Sequence, residues 1–199
     1  MNYDASLSLR LERLPLIGGL VRINASRFPE GVKYGDIVSG LPIPENSAAS
    51  VYASHVLEHL CYDDFWIALE NTLKVLKPGG VFRLIVPDLR ARAVRYIEKS
   101  ARGDPDAASK FLREAYLGKQ ARGRTLLQKM RQILGNGDHL WMWDELSMCE
   151  ALRTVGFVDI RRCEFGDAAD PAFLDVEAED RFVDSMTGDI EVAIEAVKP

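Results

Sequence analysis

The chain has 199 residues, 47% of them hydrophobic and 28% charged, with a formal net charge of −5. Such a length and balance read as a soluble globular protein of one domain, and net acidity gives no general attraction to nucleic acid. No apolar run is long enough for a membrane-spanning helix, and the opening MNYDASLSLRLERLPLIGG lacks the basic and apolar regions of a signal peptide. Three well-separated cysteines, Cys61, Cys149 and Cys163, have no C-x-x-C spacing, which points to reduced thiols, no structural zinc site and a cytoplasmic protein.

In chain order, Leu7, Leu9 and Leu11 alternate like an edge strand before the Ile17-Gly18-Gly19 turn. Val21 to Asn24 and Gly31 to Ile37 are two further strand candidates. Leu41 to Ser47 is a loop, because its two prolines fit neither a ladder nor a helix interior. Val51 to Val56 is the first well-supported strand. The helix after it has Trp66, Leu69, Leu73 and Leu76 at three- and four-residue steps, with Asp63 as its expected N-cap and Lys77-Pro78-Gly79-Gly80 as its stop. Val81 to Val86 is nearly all apolar, as a strand covered on both faces must be.

Leu89 to Ser100 is helical in pattern. Residues 101–137 read as a basic helical insertion, with eight Lys/Arg against three acids between Ala101 and Leu134. Asp144 caps a helix that Gly156 ends. Phe157 to Cys163 and Asp189 to Val197 are the last two strands. Between them, Glu164 to Glu191 holds ten acids and a single cation, Arg181, which reads as a solvated surface or a partner for the basic segment.

A strand, an amphipathic crossover and a second apolar strand make a βαβ unit, which implies a parallel sheet. Sheets of this kind bind ligands at the carboxyl ends of their strands. Ser54, His55 and His59 follow the first strand here, and Asp88 follows the second.

The runs LPIPENSAASVYASHVLEHL, LKVLKPGGVFRLIVPDL and LRTVGFVDI, with the closing EVAIEAVKP, resemble the class I S-adenosylmethionine-dependent methyltransferases, most nearly their small type 11 domains. That resemblance implies an α/β fold: a Rossmann-like sheet, mostly parallel with an antiparallel last strand, and helices on both faces. It also implies S-adenosyl-L-methionine as cofactor. Carried onto this sequence, Asp36 would accept the adenine amino group and Ile37 would cover the ring. Ser54, His55 and Val56 would border the methionine end and the transferred methyl, and Asp88 the acceptor. The departures are specific. Only Gly18 and Gly19 stand in for the glycine-rich loop, Asn24 takes the place of the acid that holds the ribose hydroxyls, and Ala48-Ala49 replaces a Phe-Asp pair.

Methyl transfer from a sulfonium is chiefly a positioning problem, with a base helping when the nucleophile is a hydroxyl. His55, His59 and His139 are the only histidines and the candidates for that base; for the first two, ordering of the strand end is an equally good role. Trp141, near His139 in GDHLWMWD, is a candidate for the acceptor pocket, while Trp66 fits the core. His55 to His59 also spells H-x-x-E-H, a zinc-peptidase signature. It begins at a strand end and shows no third ligand, so no metal is expected. The expected function is methyl transfer to a small or sugar-like acceptor, with no nucleic-acid or membrane partner and a homodimer as the oligomer to consider. The alternative is a methyltransferase-like binding or accessory module that has lost its cofactor.

Overall fold

The computed structural model describes residues 1–6, 9, 29–119 and 138–199. Gly18, Gly19, Asn24 and residues 120–137 of the basic segment lie outside the described residues. Among the described residues two sheets are formed. Strand β1 (Asn2–Asp4) pairs in parallel with β2 (Val32–Tyr34). The larger sheet contains β3 (Ala48–Ser54), β4 (Leu76–Val86), β5 (Val158–Arg162) and β6 (Val192–Val197), in the order β3-β4-β6-β5. Strands β3 and β4 are parallel, while β6 runs antiparallel to both β4 and β5. A mostly parallel α/β sheet with an antiparallel last strand is therefore the architecture.

Helix α1 (Tyr62–Val75) is the crossover between β3 and β4. It starts at Cys61, two residues before the expected Asp63 cap; Asp63 and Asp64 stand instead in its first turn, where the helix dipole favours acids. The Cys61 thiol donates to Asp64 Oδ2 at 3.1 Å, which fixes that turn. Helices α2 (Leu89–Ala101) and α3 (Ala107–Glu114) follow β4, and α4 (Glu145–Val155) precedes β5. Asp144 and Ser147 form a reciprocal capping box on α4, and Gly156 ends it at φ 112°, as its sequence signals imply.

The Lys-Pro-Gly-Gly stretch is a bulged start to β4, so this strand begins five residues before Val81 and its register with β3 slips between Ala48 and Ser50. Gly79 sits at φ 73°, and a Cβ on Gly80 would lie 2.8 Å from the Lys77 carbonyl and 3.0 Å from that of Ala49. Only glycines fit such a bulge.

Alternation divides the sheet. Phe82, Leu84 and Val86 of β4 join Ile194 and Ala196 of β6 in the main core, against Phe65 and Leu69 of α1 and Met148 and Leu152 of α4. The opposite face carries Ile85, Ala193 and Cys163 with Phe182, and also Arg83, which is 0% exposed in mid-strand. A buried guanidinium is tolerated only when paired. Its Nη1 donates to Glu195 Oε1 at 2.8 Å and to the Asp167 carbonyl at 2.9 Å, Nη2 donates to the Glu164 carbonyl at 2.9 Å, and Glu177 stands against Nε. The Phe173 and Phe182 rings flank it. The acidic segment thus covers this face, and its charges answer Arg83, Arg92, Arg95 and Arg161.

Candidate functional site

Strand β3 ends at Ser54, and the chain turns sharply at His55, whose φ is 54°. Positive φ is uncommon outside glycine, with histidine among the side chains that adopt it more readily, and such conformations collect where a site needs a particular geometry. The His55 N–H donates to the Ile85 carbonyl at 2.9 Å, so this tip remains attached to the end of β4. Leu57–His59 then form one 3₁₀ turn.

That turn is clamped from a distant part of the chain. The Leu140 and Trp141 N–H groups both donate to the Glu58 carbonyl, at 2.8 and 3.3 Å. His59 Nδ1 lies 3.0 Å from the Asp138 carbonyl, which makes it the donor and leaves Nε2 with a lone pair. The His59 and His139 rings meet edge to face at 5.1 Å. His139, expected from sequence to lie near the site, is therefore brought to the β3 tip together with His59.

Glu58 is the member of this group that sequence reasoning treated only as motif filler. It is 1% exposed, and neither carboxylate oxygen accepts a hydrogen bond of good geometry, although His55 Nδ1 stands 3.2 Å from Oε1. Burial would lower the His55 imidazole's pKa. The Glu58 carboxylate and the Arg181 carbonyl outweigh burial and raise it above the ordinary histidine value. Burial also lowers His139, here against the pull of Glu58, and the result is a ring below the ordinary value.

The other expected residues divide clearly. Arg181 reaches over the β3 tip: its carbonyl is 2.9 Å from His55 Nε2, and its Nε donates to Ser54 Oγ at 3.4 Å. Val56 is exposed. Asp36 follows β2, but both its carboxylate oxygens serve its own turn, accepting from Val38 N–H at 2.9 Å and Ser39 Oγ at 2.8 Å. Ile37 packs against the main core, and its carbonyl accepts from Asn71 Nδ2 at 2.8 Å. Asp88 caps α2 by accepting from Arg90 N–H at 2.8 Å. It also borders an open cleft of about 850 Å³ between α2 and the start of α4, together with Arg90, Arg95, Glu98, Asp144 and Arg162. Trp141 is 44% exposed with its ring 4.8 Å from Tyr62, whereas Trp143 is buried on Phe65 with ring centroids 4.0 Å apart.

Asp4 is a residue the sequence reading passed over. It ends β1 directly beside Tyr34 of β2, so Asp4 and Asp36 follow neighbouring parallel strands at their carboxyl ends. A three-residue strand shows no periodicity, and of Asn2, Tyr3 and Asp4 only Tyr3 favours a strand, so the sequence carries no usable signal there.

Residues 20–84 match the family described as "Methyltransferase domain". Over this stretch the sequence is similar to that family. The matched third of the chain contains β2, β3, α1 and most of β4, and so Asp36, Ser54, His55 and the Glu58–His59 turn. Comparison with curated proteins returns no match. Among solved structures, the domain is similar to a SAM-dependent methyltransferase from Archaeoglobus fulgidus, at 15% identity over 84% of this chain and 67% of that one, with a TM-score of 0.43. It is also similar to human N-acetylserotonin methyltransferase in complex with SAM, at 18% identity, 87% and 36% coverage and a TM-score of 0.41. PigF with SAH is a third, at 13% identity, 84% and 35% coverage and a TM-score of 0.42. The chain spans about one third to two thirds of the length of the solved structures it matches.

Proposed function

We propose that this methyltransferase domain binds S-adenosyl-L-methionine and transfers its methyl group to the oxygen or nitrogen of a small or sugar-like acceptor. The observation that carries the reading is that Asp36, Ile37, Ser54 and His55, all within the matched stretch, follow the carboxyl ends of parallel strands, where open α/β sheets bind ligands. Asp36 and Ile37 are assigned to the adenine ring, and Ser54, His55 and Val56 to the methionine end and the methyl. Gly18, Gly19 and Asn24 remain assigned to the cofactor by resemblance alone.

Asp4 joins the cofactor residues. Its Oδ1 accepts from Ser6 N–H at 2.7 Å, and a carboxylate at this place is suited to accept from a ribose hydroxyl with a charge assistance that Asn24 lacks. His55, His59 and His139 are assigned to the acceptor side as the candidate bases, with Asp88 and Trp141 lining its approach. Neutral His139 can accept a proton from an acceptor hydroxyl; His55, its proton held by Glu58, is better suited to orient. Three free cysteines support a cytoplasmic setting, and among the described residues no helix is long and apolar enough to cross a membrane. One contiguous main core supports a single domain.

A second reading, an accessory module without cofactor, is favoured by the same tip: Arg181 already occupies Ser54 and His55, and Asp36 is fully used by its own turn. Titration calorimetry with S-adenosylhomocysteine separates the two. Micromolar binding that Asp4→Ala weakens about tenfold or more supports the enzyme. No heat at high micromolar ligand removes it and leaves the module.

A further inference from the structure

The clamp at the β3 tip leaves one arrangement without a role. Glu58 is 1% exposed, its Oε1 is faced only by His55 Nδ1 at 3.2 Å and its Oε2 accepts no hydrogen bond, and the His139 Nδ1 is buried without a hydrogen-bond partner. Buried polar atoms left without partners are uncommon and favour a further ligand that would satisfy them. Side-chain donor atoms of Glu58, His59 and His139 all lie within 4.8 Å of one another. The arrangement around them is also that of ligands held ready. His59 directs Nδ1 at the Asp138 carbonyl and so keeps Nε2 as its lone-pair nitrogen, which is how a metal-binding imidazole is normally fixed from behind. The Leu140 and Trp141 N–H groups hold the 3₁₀ turn against the loop that carries His139.

We propose that Glu58, His59 and His139 form a site for one divalent first-row transition cation. Two imidazoles and one carboxylate suit zinc, iron or cobalt in preference to magnesium or calcium, which favour all-oxygen sets. The sequence pattern H-x-x-E-H lacked a third ligand; the fold supplies His139, eighty residues beyond His59. The first histidine of the pattern is not required. His55 sits behind Glu58, 3.2 Å from its Oε1, and positions that carboxylate.

The test uses the full chain stripped with chelator and titrated with Co²⁺ alone, followed by visible d–d absorption and by metal content after gel filtration. The site predicts saturable uptake of one Co²⁺ per chain, displaced by Zn²⁺. His59→Ala and His139→Ala should each weaken uptake on the order of tenfold or more. Cys61→Ser, which removes the nearest exposed thiol, should leave it unchanged. Thermal unfolding adds a second readout that does not depend on how the variants fold: Co²⁺ should raise the Tm of the unaltered chain. Absence of Co²⁺ uptake or of a Tm rise in the folded chain overturns the site. Equal uptake by His59→Ala and His139→Ala, or loss of uptake in Cys61→Ser, also overturns it. No cofactor enters these measurements, so failure of the site is read apart from failure of S-adenosylhomocysteine binding; a bound cation would take the lone pairs of His59 and His139 and remove those two from the candidate bases.

Discussion

Asp184 shows how one carboxylate fixes the segment that covers the sheet. Its Oδ2 accepts from Arg92 Nη2 at 2.8 Å, and its Oδ1 accepts from the Met186 and Thr187 N–H groups and the Thr187 hydroxyl at 2.8 to 2.9 Å. Burial alone would raise this acid. The Thr187 bonds and Arg92 outweigh burial and hold its pKa below the ordinary aspartate value. A pKa lower in the folded than in the unfolded state contributes stability above the unfolded value of about 3.9, and that contribution is lost as pH falls through the folded value. Asp184→Asn should therefore lower stability at pH 7 by about 2 kcal/mol. It should also flatten the decline below about pH 4, so urea titrations at pH 7 and pH 3 should show a smaller difference than in the unaltered protein. At the other extreme, burial first and then the Glu195 charge push the Cys163 thiol up to about 11, which suits packing and not nucleophilic chemistry.

At the scale of elements, the covered face of the sheet depends on charge pairing where the helical face depends on apolar packing. Helices α1 and α4 bury Phe65, Leu69, Met148 and Leu152 completely. The segment from Glu164 to Glu191 has only short 3₁₀ turns at Pro171–Phe173 and Glu179–Arg181, and it is anchored by carboxylates and carbonyls on Arg83 and Arg92. Replacing Arg83 by Met keeps an unbranched apolar stem but removes the guanidinium, which leaves Glu177 buried without its cation while Glu195 keeps Arg161. The expected loss is roughly 3–5 kcal/mol in urea denaturation, and adding Glu177→Gln should return part of it. The Arg181 contacts at Ser54 and His55 belong to the same segment, so loosening it should also free the β3 tip.

The molecule as a whole has two sheets of unequal support among the described residues. The β3-β4-β6-β5 sheet has long central strands and a core on both faces, whereas β1 and β2 contribute three residues each. Asn71 of α1, donating to the Ile37 and Val38 carbonyls at 2.8 and 2.9 Å, ties the loop after β2 to the larger body. Two-stranded pairs are marginal by themselves. Amide exchange followed by mass spectrometry should therefore show β1 and β2 exchanging well before Phe82–Val86 and Val192–Val197. Equal protection in the two sheets would mean that they unfold as one unit.

Residues close in sequence gave a faithful account wherever their pattern was local. The amphipathic stripe of α1, the Asp144 cap, the Gly156 stop, the apolar run of β4 and the family wording of residues 30–90 each depend on side chains a few positions apart, and each is present in the fold. What the sequence could not decide was which distant groups meet. Arg83 looks like a misplaced charge until Glu195 of β6 and Glu177 of the acidic segment close on it. The acidic run reads as a solvated face until its carboxylates find arginines in β4, α2 and β5. His139 is one more loop histidine until the backbone of residues 138–141 docks on the 3₁₀ turn and brings it to Glu58 and His59. Local pattern is set by the period of a helix or strand, which the sequence carries directly. Pairing of buried charges is set by where the chain returns after eighty or a hundred residues, and packing of the whole decides that.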